Sequence, residues 1–136
     1  MYFRPTSTIH WLIVLSVLCT IVAGFVQQSG YSPYAFGMHR YFWEQGAYVL
    51  TGLQVLLFEF LHGGVLHLLS NSLFLVVIGI PLEHRKGSRW MLSFFLVVHI
   101  LLACVLGFQE TPTVGMSGFA MAILAYCMLE LSLIHI

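Results

Sequence analysis

His67, Asn71 and Ser117 stand out against an apolar background. His67 and Asn71 are four residues apart, so on a helix they share one face, a turn from each other. Ser117 lies in Val114-Gly-Met-Ser-Gly-Phe119, just after Thr111-Pro-Thr113. The proline and glycines predict a loop, and the apolar run that follows predicts a helix start. A serine there can expose its hydroxyl while Gly115 and Gly118 let another backbone approach closely. Unpaired N–H groups at a helix N-terminus can hold an oxyanion. Such a set would suit a nucleophile beside an anion-stabilising pocket. Each feature also has a plainer reading. His67 and Asn71 can bond across helices as polar glue, and Gly115, Gly118 and Ala122 can form a small-residue packing seam. A metal site on His62 and His67 is disfavoured, because a spacing of five does not align two ligands on a helix face.

The elements that must position these residues are set by composition. Of 136 residues, 60% are hydrophobic and 7% charged, against about a quarter charged in soluble domains. A chain of this size cannot hide so much apolar surface from water, so the expected class is an all-α polytopic membrane protein. Aspartate is absent, and Glu44, Glu59, Glu83, Glu110 and Glu130 balance Arg4, Arg40, Arg85, Lys86 and Arg89. There is no basic patch for nucleic acid. Cys19, Cys104 and Cys127 sit in apolar runs without CxxC spacing and read as small buried apolar residues.

Four apolar runs are long enough to predict spans, at 9–26, 65–82, 90–108 and 117–130. The first is roughly 27 Å long as a helix, close to the thickness of a bilayer core. It exceeds a signal-peptide core and lacks a clear small-x-small cleavage site. Residues 27–64 carry the aromatics Tyr31, Tyr34, Phe36, Tyr41, Phe42 and Trp43, which favour a membrane–water interface. Residues 47–61 are apolar but short, with Gln54 and Glu59 inside, and read as interfacial or re-entrant. Arg4 precedes the first run, and Arg85, Lys86 and Arg89 lie in the turn between the second and third. Only Arg40 falls on the other side, so the N-terminus is expected in the cytoplasm. Both the second and fourth spans then begin at the outer face. That gathers His62, His67 and Asn71 with Gly115, Ser117 and Gly118 in one leaflet.

Phe60-Leu-His-Gly-Gly-Val-Leu-His-Leu-Leu-Ser-Asn71, then Gly79 with Glu83 and Arg85, then Gly115-Met-Ser-Gly118, resembles the rhomboid intramembrane proteases in order and spacing. The resemblance covers about half the chain, from Phe58 to Tyr126. It implies a partial rhomboid-like helical bundle, about four of an original six or more transmembrane helices, that cuts transmembrane or juxtamembrane segments of membrane proteins. No cofactor is implied. The expected partners are membrane-protein substrates and the lipid bilayer, with neither nucleic acid nor metal, and the expected location is a bacterial inner membrane. By the resemblance, Ser117 is the nucleophile of a Ser–His dyad. His67 and Asn71 donate to the tetrahedral oxyanion beside the Ser117 N–H. Gly115, Gly118 and His62 support the site, and Glu83 and Arg85 form a structural turn as an ion pair.

The sequence departs from the family at three positions. The Trp-Arg pair that often precedes the outer histidine is replaced by Leu53 and Gln54, and the aromatic that often follows the serine by one turn is Met121. The family's general base is a histidine about two helices beyond the serine, and His135 is the only histidine after Ser117. His135 would lie roughly 27 Å away along one helix, out of reach of the serine. Residues 131–136 match, in frame, the peptide encoded by a widely used transposase sequencing adaptor. The chain is therefore expected to be a fragment whose native sequence stops near Glu130 and which is inactive as written. Two other readings remain open at this stage. One is a rhomboid-like pseudoprotease that binds membrane clients; the other is an unrelated scaffold or transport protein.

Overall fold

The computed structural model describes residues 8–134; Arg4 and His135 lie outside them. Six helices follow in order: α1 (Thr8–Gln28), α2 (Tyr41–Glu44), α3 (Tyr48–Leu57), α4 (Val65–Lys86), α5 (Ser88–Leu106) and α6 (Ser117–Ile134), with a 3-10 turn at Pro33–Phe36. Among the described residues, α1, α4 and α5 are long and apolar enough to cross a membrane. The expected fourth span is a shorter apolar helix, Ser117–Ser132. Its first turns are deep in the bundle, with Phe119 and Ile123 fully buried. The stretch expected at 47–61 contains only α3, roughly 15 Å long and too short to cross.

Each long helix is apolar all round, which suits a helix packed on one side and bathed in lipid on the other. On α5, Met91, Phe95, His99 and Ala103 recur every four residues and face the bundle, while Leu92, Leu96, Ile100 and Leu101 are exposed. On α1, Ile9, Leu12, Ser16 and Ala23 form the buried stripe. Cys104, expected to be buried, lies on the outward face of α5. The main core cluster is Ile9, Leu12, Leu75, Leu82, Met91, Phe95, Met116, Phe119 and Ile123, and a smaller one joins Met38, Phe58 and Ala103. Close helix approach sets its thickness. A Cβ on Gly79 of α4 would lie 3.0 Å from Ile9 Cδ1, and one on Gly118 of α6 would lie 2.6 Å from Leu102 Cδ1 on α5.

Helix α4 contains a π segment, Leu75–Gly79, in which Ile80 N–H donates to Leu75 C=O. Pro81 follows at once and has no N–H to give. A locally widened helix at such a point is the usual form of a π-bulge.

The expected Glu83–Arg85 turn is not a turn. Both residues lie on the last turns of α4, and Gly87 alone, at φ +92°, reverses the chain into α5. Residues two apart on a helix point to opposite sides, so the pair separates. Buried Glu83 caps α1, accepting hydrogen bonds from Thr8 N–H (2.9 Å) and Ile9 N–H (3.0 Å). Arg85 instead donates to Glu130 of α6 at 2.5 Å, and Lys86 pairs with the same carboxylate. Tyr126 Oη also donates to Glu130.

Glu83 thus satisfies donors that a helix start otherwise leaves unpaired. Glu83→Ala should lower stability by on the order of 3 kcal/mol, since hydrogen bonds to a charged group are the stronger kind. Glu83→Gln, which keeps an accepting oxygen, should lose less. Thermal unfolding in detergent measures both, and equal losses would show that the caps are not what Glu83 contributes.

Candidate active site

The loop between α5 and α6 delivers Ser117 to the first position of α6. Ser117 is exposed, while Gly115 and Met116 immediately before it are buried. The loop is fixed from several sides. Met38 and Thr113 exchange backbone hydrogen bonds as an antiparallel bridge (2.8 and 3.1 Å), and Arg40 N–H donates to Gln109 C=O. The side chain of Arg40 bonds Glu110 at 2.7 Å. Met116 is held from below by Ser16 Oγ, which donates to its sulfur at 3.1 Å.

Gly115 is the point at which this loop meets α4. Its φ is +104°, a backbone region that disfavours side chains. A Cβ there would lie 2.6 Å from His67 Cε1, 2.9 Å from His67 Nε2 and 3.4 Å from Asn71 Nδ2. The imidazole and the amide of α4 therefore converge on the backbone two residues before Ser117. Asn71 Nδ2 is buried and has no hydrogen-bond partner among the described residues, so it is a donor aimed into the site and not already engaged. On its other side Gly115 donates its N–H to Phe58 C=O at 2.8 Å.

His62 stands behind His67, with ring centroids 5.1 Å apart in an edge-to-face arrangement. It is almost fully buried, and its Nδ1 donates to Phe60 C=O at 3.2 Å. That bond fixes the neutral tautomer with the lone pair on Nε2, an atom with no partner among the described residues. Burial pushes the His62 pKa below the usual histidine range, against the pull of the Phe60 carbonyl, and a charge on His67 acts in the same direction as burial.

A family model, the Rhomboid domain, matches residues 50–135. The chain belongs to the rhomboid family. Comparison with curated proteins and with solved structures gave no match. The matched segment runs from within α3 through α4, α5 and α6 with the loops between them, and so carries His62, His67, Asn71, Gly115, Ser117 and Gly118.

At two of the three departures from the family pattern the structure is informative. Gln54 is fully buried, and its Nε2 donates to Ala35 C=O (3.3 Å) and Gly37 C=O (2.9 Å) beside His39 Nδ1. It ties α3 to the segment after α1. Met121 is exposed and makes no part of the core. In the sequence, Glu59 argues only against a span, and neither His99 nor the Phe58 carbonyl draws notice. Ionisable residues inside apolar runs are the signal that could have found the first two.

Two outcomes follow from this geometry. Gly115→Ala should lower stability by about 1–3 kcal/mol through left-handed strain and overpacking on His67. Gly63→Ala, whose Cβ would meet His67 Nδ1 only at 3.9 Å, should be nearly silent in the same melt. For His62, the unfolded chain takes up a proton below about pH 6.5 and the folded chain resists it. Stability is therefore full above that value and declines as pH falls through it towards the lowered folded pKa. His62→Gln should flatten this part of a melting-temperature profile taken from about pH 7.5 to 5.

Proposed function

We propose that this rhomboid-family protein is an intramembrane serine protease acting on transmembrane or juxtamembrane segments of membrane proteins. The observation that carries the reading is the approach of His67 Nε2 and Asn71 Nδ2 to the Gly115 backbone, directly before an exposed serine at a helix start. Packing glue would engage these donors with each other or with neighbouring helices. Instead Asn71 Nδ2 has no partner among the described residues.

In this reading Ser117 Oγ attacks the scissile carbonyl carbon and loses its proton to a base. The carbonyl oxygen becomes an oxyanion that accepts hydrogen bonds from Asn71, His67 and the Ser117 N–H. Collapse of the tetrahedral species breaks the C–N bond, and the base returns the proton to the leaving amine. Water then hydrolyses the acyl-serine by the same steps. Preorganised donors in a water-poor site can each contribute on the order of 3 kcal/mol to the transition state. A serine hydroxyl is a weak nucleophile until a base comes within hydrogen-bond reach. The rhomboid resemblance puts that base on a helix later in the chain than Ser117. The distribution of basic residues supports an N-terminus in the cytoplasm; in that orientation Ser117, His67 and Asn71 lie towards the outer leaflet, where water can reach the acyl-serine.

The test is cleavage of a membrane reporter by the full-length product of the gene in proteoliposomes. Ser117→Ala should abolish cleavage without loss of folded protein. His67→Ala and Asn71→Ala should each slow it by about 10- to 1,000-fold, the range for loss of one oxyanion donor. Cleavage by Ser117→Ala at the wild-type rate would eliminate this nucleophile. A wild-type protein that captures the reporter and leaves it whole would be a client-binding member of the family.

A further inference from the structure

A second polar pair lies under the site, outside the residues used so far. Glu59 is fully buried between α3 and α4, and its Oε2 is hydrogen-bonded to Nδ1 of His99 on α5. With Glu59 ionised, its carboxylate accepts and His99 Nδ1 carries the proton of that bond. The Phe58 ring stacks on the same imidazole, with centroids 4.9 Å apart and planes 24° from parallel, and the Phe95 ring lies tilted beside it at 5.4 Å. Phe58 is itself buried, with its N–H bonded to Gln54 C=O.

The peptide unit between Phe58 and Glu59 carries the carbonyl that accepts the Gly115 N–H. Its two flanking side chains both land on one histidine. A peptide plane outside regular helix can rotate by small changes in ψ and φ at its ends. Here side chains pin both ends to α5. A chain of contacts then runs from His99 through the 58–59 peptide to Gly115, and from Gly115 to His67 and Asn71.

Stability alone is a weak reason for such a pair. Buried ion pairs can often be replaced by apolar residues of similar volume at no cost. Oxyanion donors, by contrast, lose about 100-fold in rate when misplaced by about 1 Å. We infer that Glu59 and His99 are positioning residues that lock the Phe58 carbonyl onto Gly115 and so set the distance from the Ser117 loop to the His67–Asn71 donors. The inference rests on the protease reading for its catalytic consequence and on geometry alone for the positioning.

The experiment compares Glu59→Leu, His99→Phe, the double variant and Glu59→Gln in the full-length gene product, reconstituted in lipid nanodiscs. One readout is reporter cleavage, resolved into kcat and KM. The other is amide hydrogen exchange of the peptide spanning Gly115, which needs no activity. Glu59→Leu and His99→Phe should lower kcat by about 10- to 100-fold with KM close to wild type. The double variant, which leaves neither partner buried alone, should lose as much kcat with a melting temperature close to wild type. Exchange around Gly115 should quicken by about tenfold or more, as expected when a pinned loop opens locally. The double variant should be no worse than either single, because both break one device. Glu59→Gln, whose amide oxygen can still accept from His99, should recover most of both readouts. Wild-type kcat and unchanged Gly115 exchange in Glu59→Leu would overturn the inference. So would a kcat loss that follows a fall in melting temperature and is not recovered by Glu59→Gln. If the wild-type protein cuts nothing, the protease reading fails, and the exchange data still decide whether the pair holds the loop.

Discussion

The space beside Gly115 admits a hydrogen atom and nothing larger. At that one residue the loop before α6 gives its N–H to the Phe58 carbonyl and turns its Cα towards His67 and Asn71, in a left-handed conformation. Three separate stretches of chain therefore meet where there is no side chain to keep them apart. The exposed serine two residues later inherits its position from this contact.

Irregular backbone near a bilayer core is tolerated only where protein or a water-filled cavity satisfies its polar groups. The segment after α1 and the loop before α6 solve this problem jointly. Met38 and Thr113 exchange hydrogen bonds, and Arg40 and Gln109 extend the seam. Gln54 reaches up from α3 to collect the Ala35 and Gly37 carbonyls. Gly37 is pressed against Thr113 and Val114 so tightly that a Cβ would lie 2.8 Å from Val114 Cγ1. Around this frame the helices turn apolar faces outward, as the exposure of Leu66, Val49 and Ile100 shows.

Helix placement is legible in the sequence because a long apolar run in a charge-poor chain has almost nowhere to go except across a bilayer. The runs at 9–26, 65–82 and 90–108 correspond to α1, α4 and α5 to within a few residues. Ends are harder to read. Charges at Arg85 and Lys86 suggest a loop, yet a helix can carry charges on its last turn, and α4 continues to Lys86. Proximity in sequence pairs Glu83 with Arg85, where the structure pairs it with the backbone of α1, 75 and 74 residues earlier. The sharing of a face by His67 and Asn71 is readable from spacing alone. What they face is not, because the partner is the backbone of a glycine, and a glycine in a sequence does not say whether it serves a turn, a seam or a close approach. Glu59 and His99 escape for a related reason: each is one titratable residue in its own apolar run, and only the fold brings them together.

The π segment of α4 gives its two ends a common phase. Asn71 and Glu83 are twelve positions apart, which on an uninterrupted α-helix leaves them about 120° out of register around the axis. One additional residue in a turn absorbs roughly 100° of that. Asn71, Leu75, Gly79, Leu82 and Glu83 accordingly all point into the bundle. The half of the helix that serves the candidate catalytic loop and the half that caps α1 are thus indexed to the same side by a single inserted residue. Without it, one of the two polar groups would turn towards lipid.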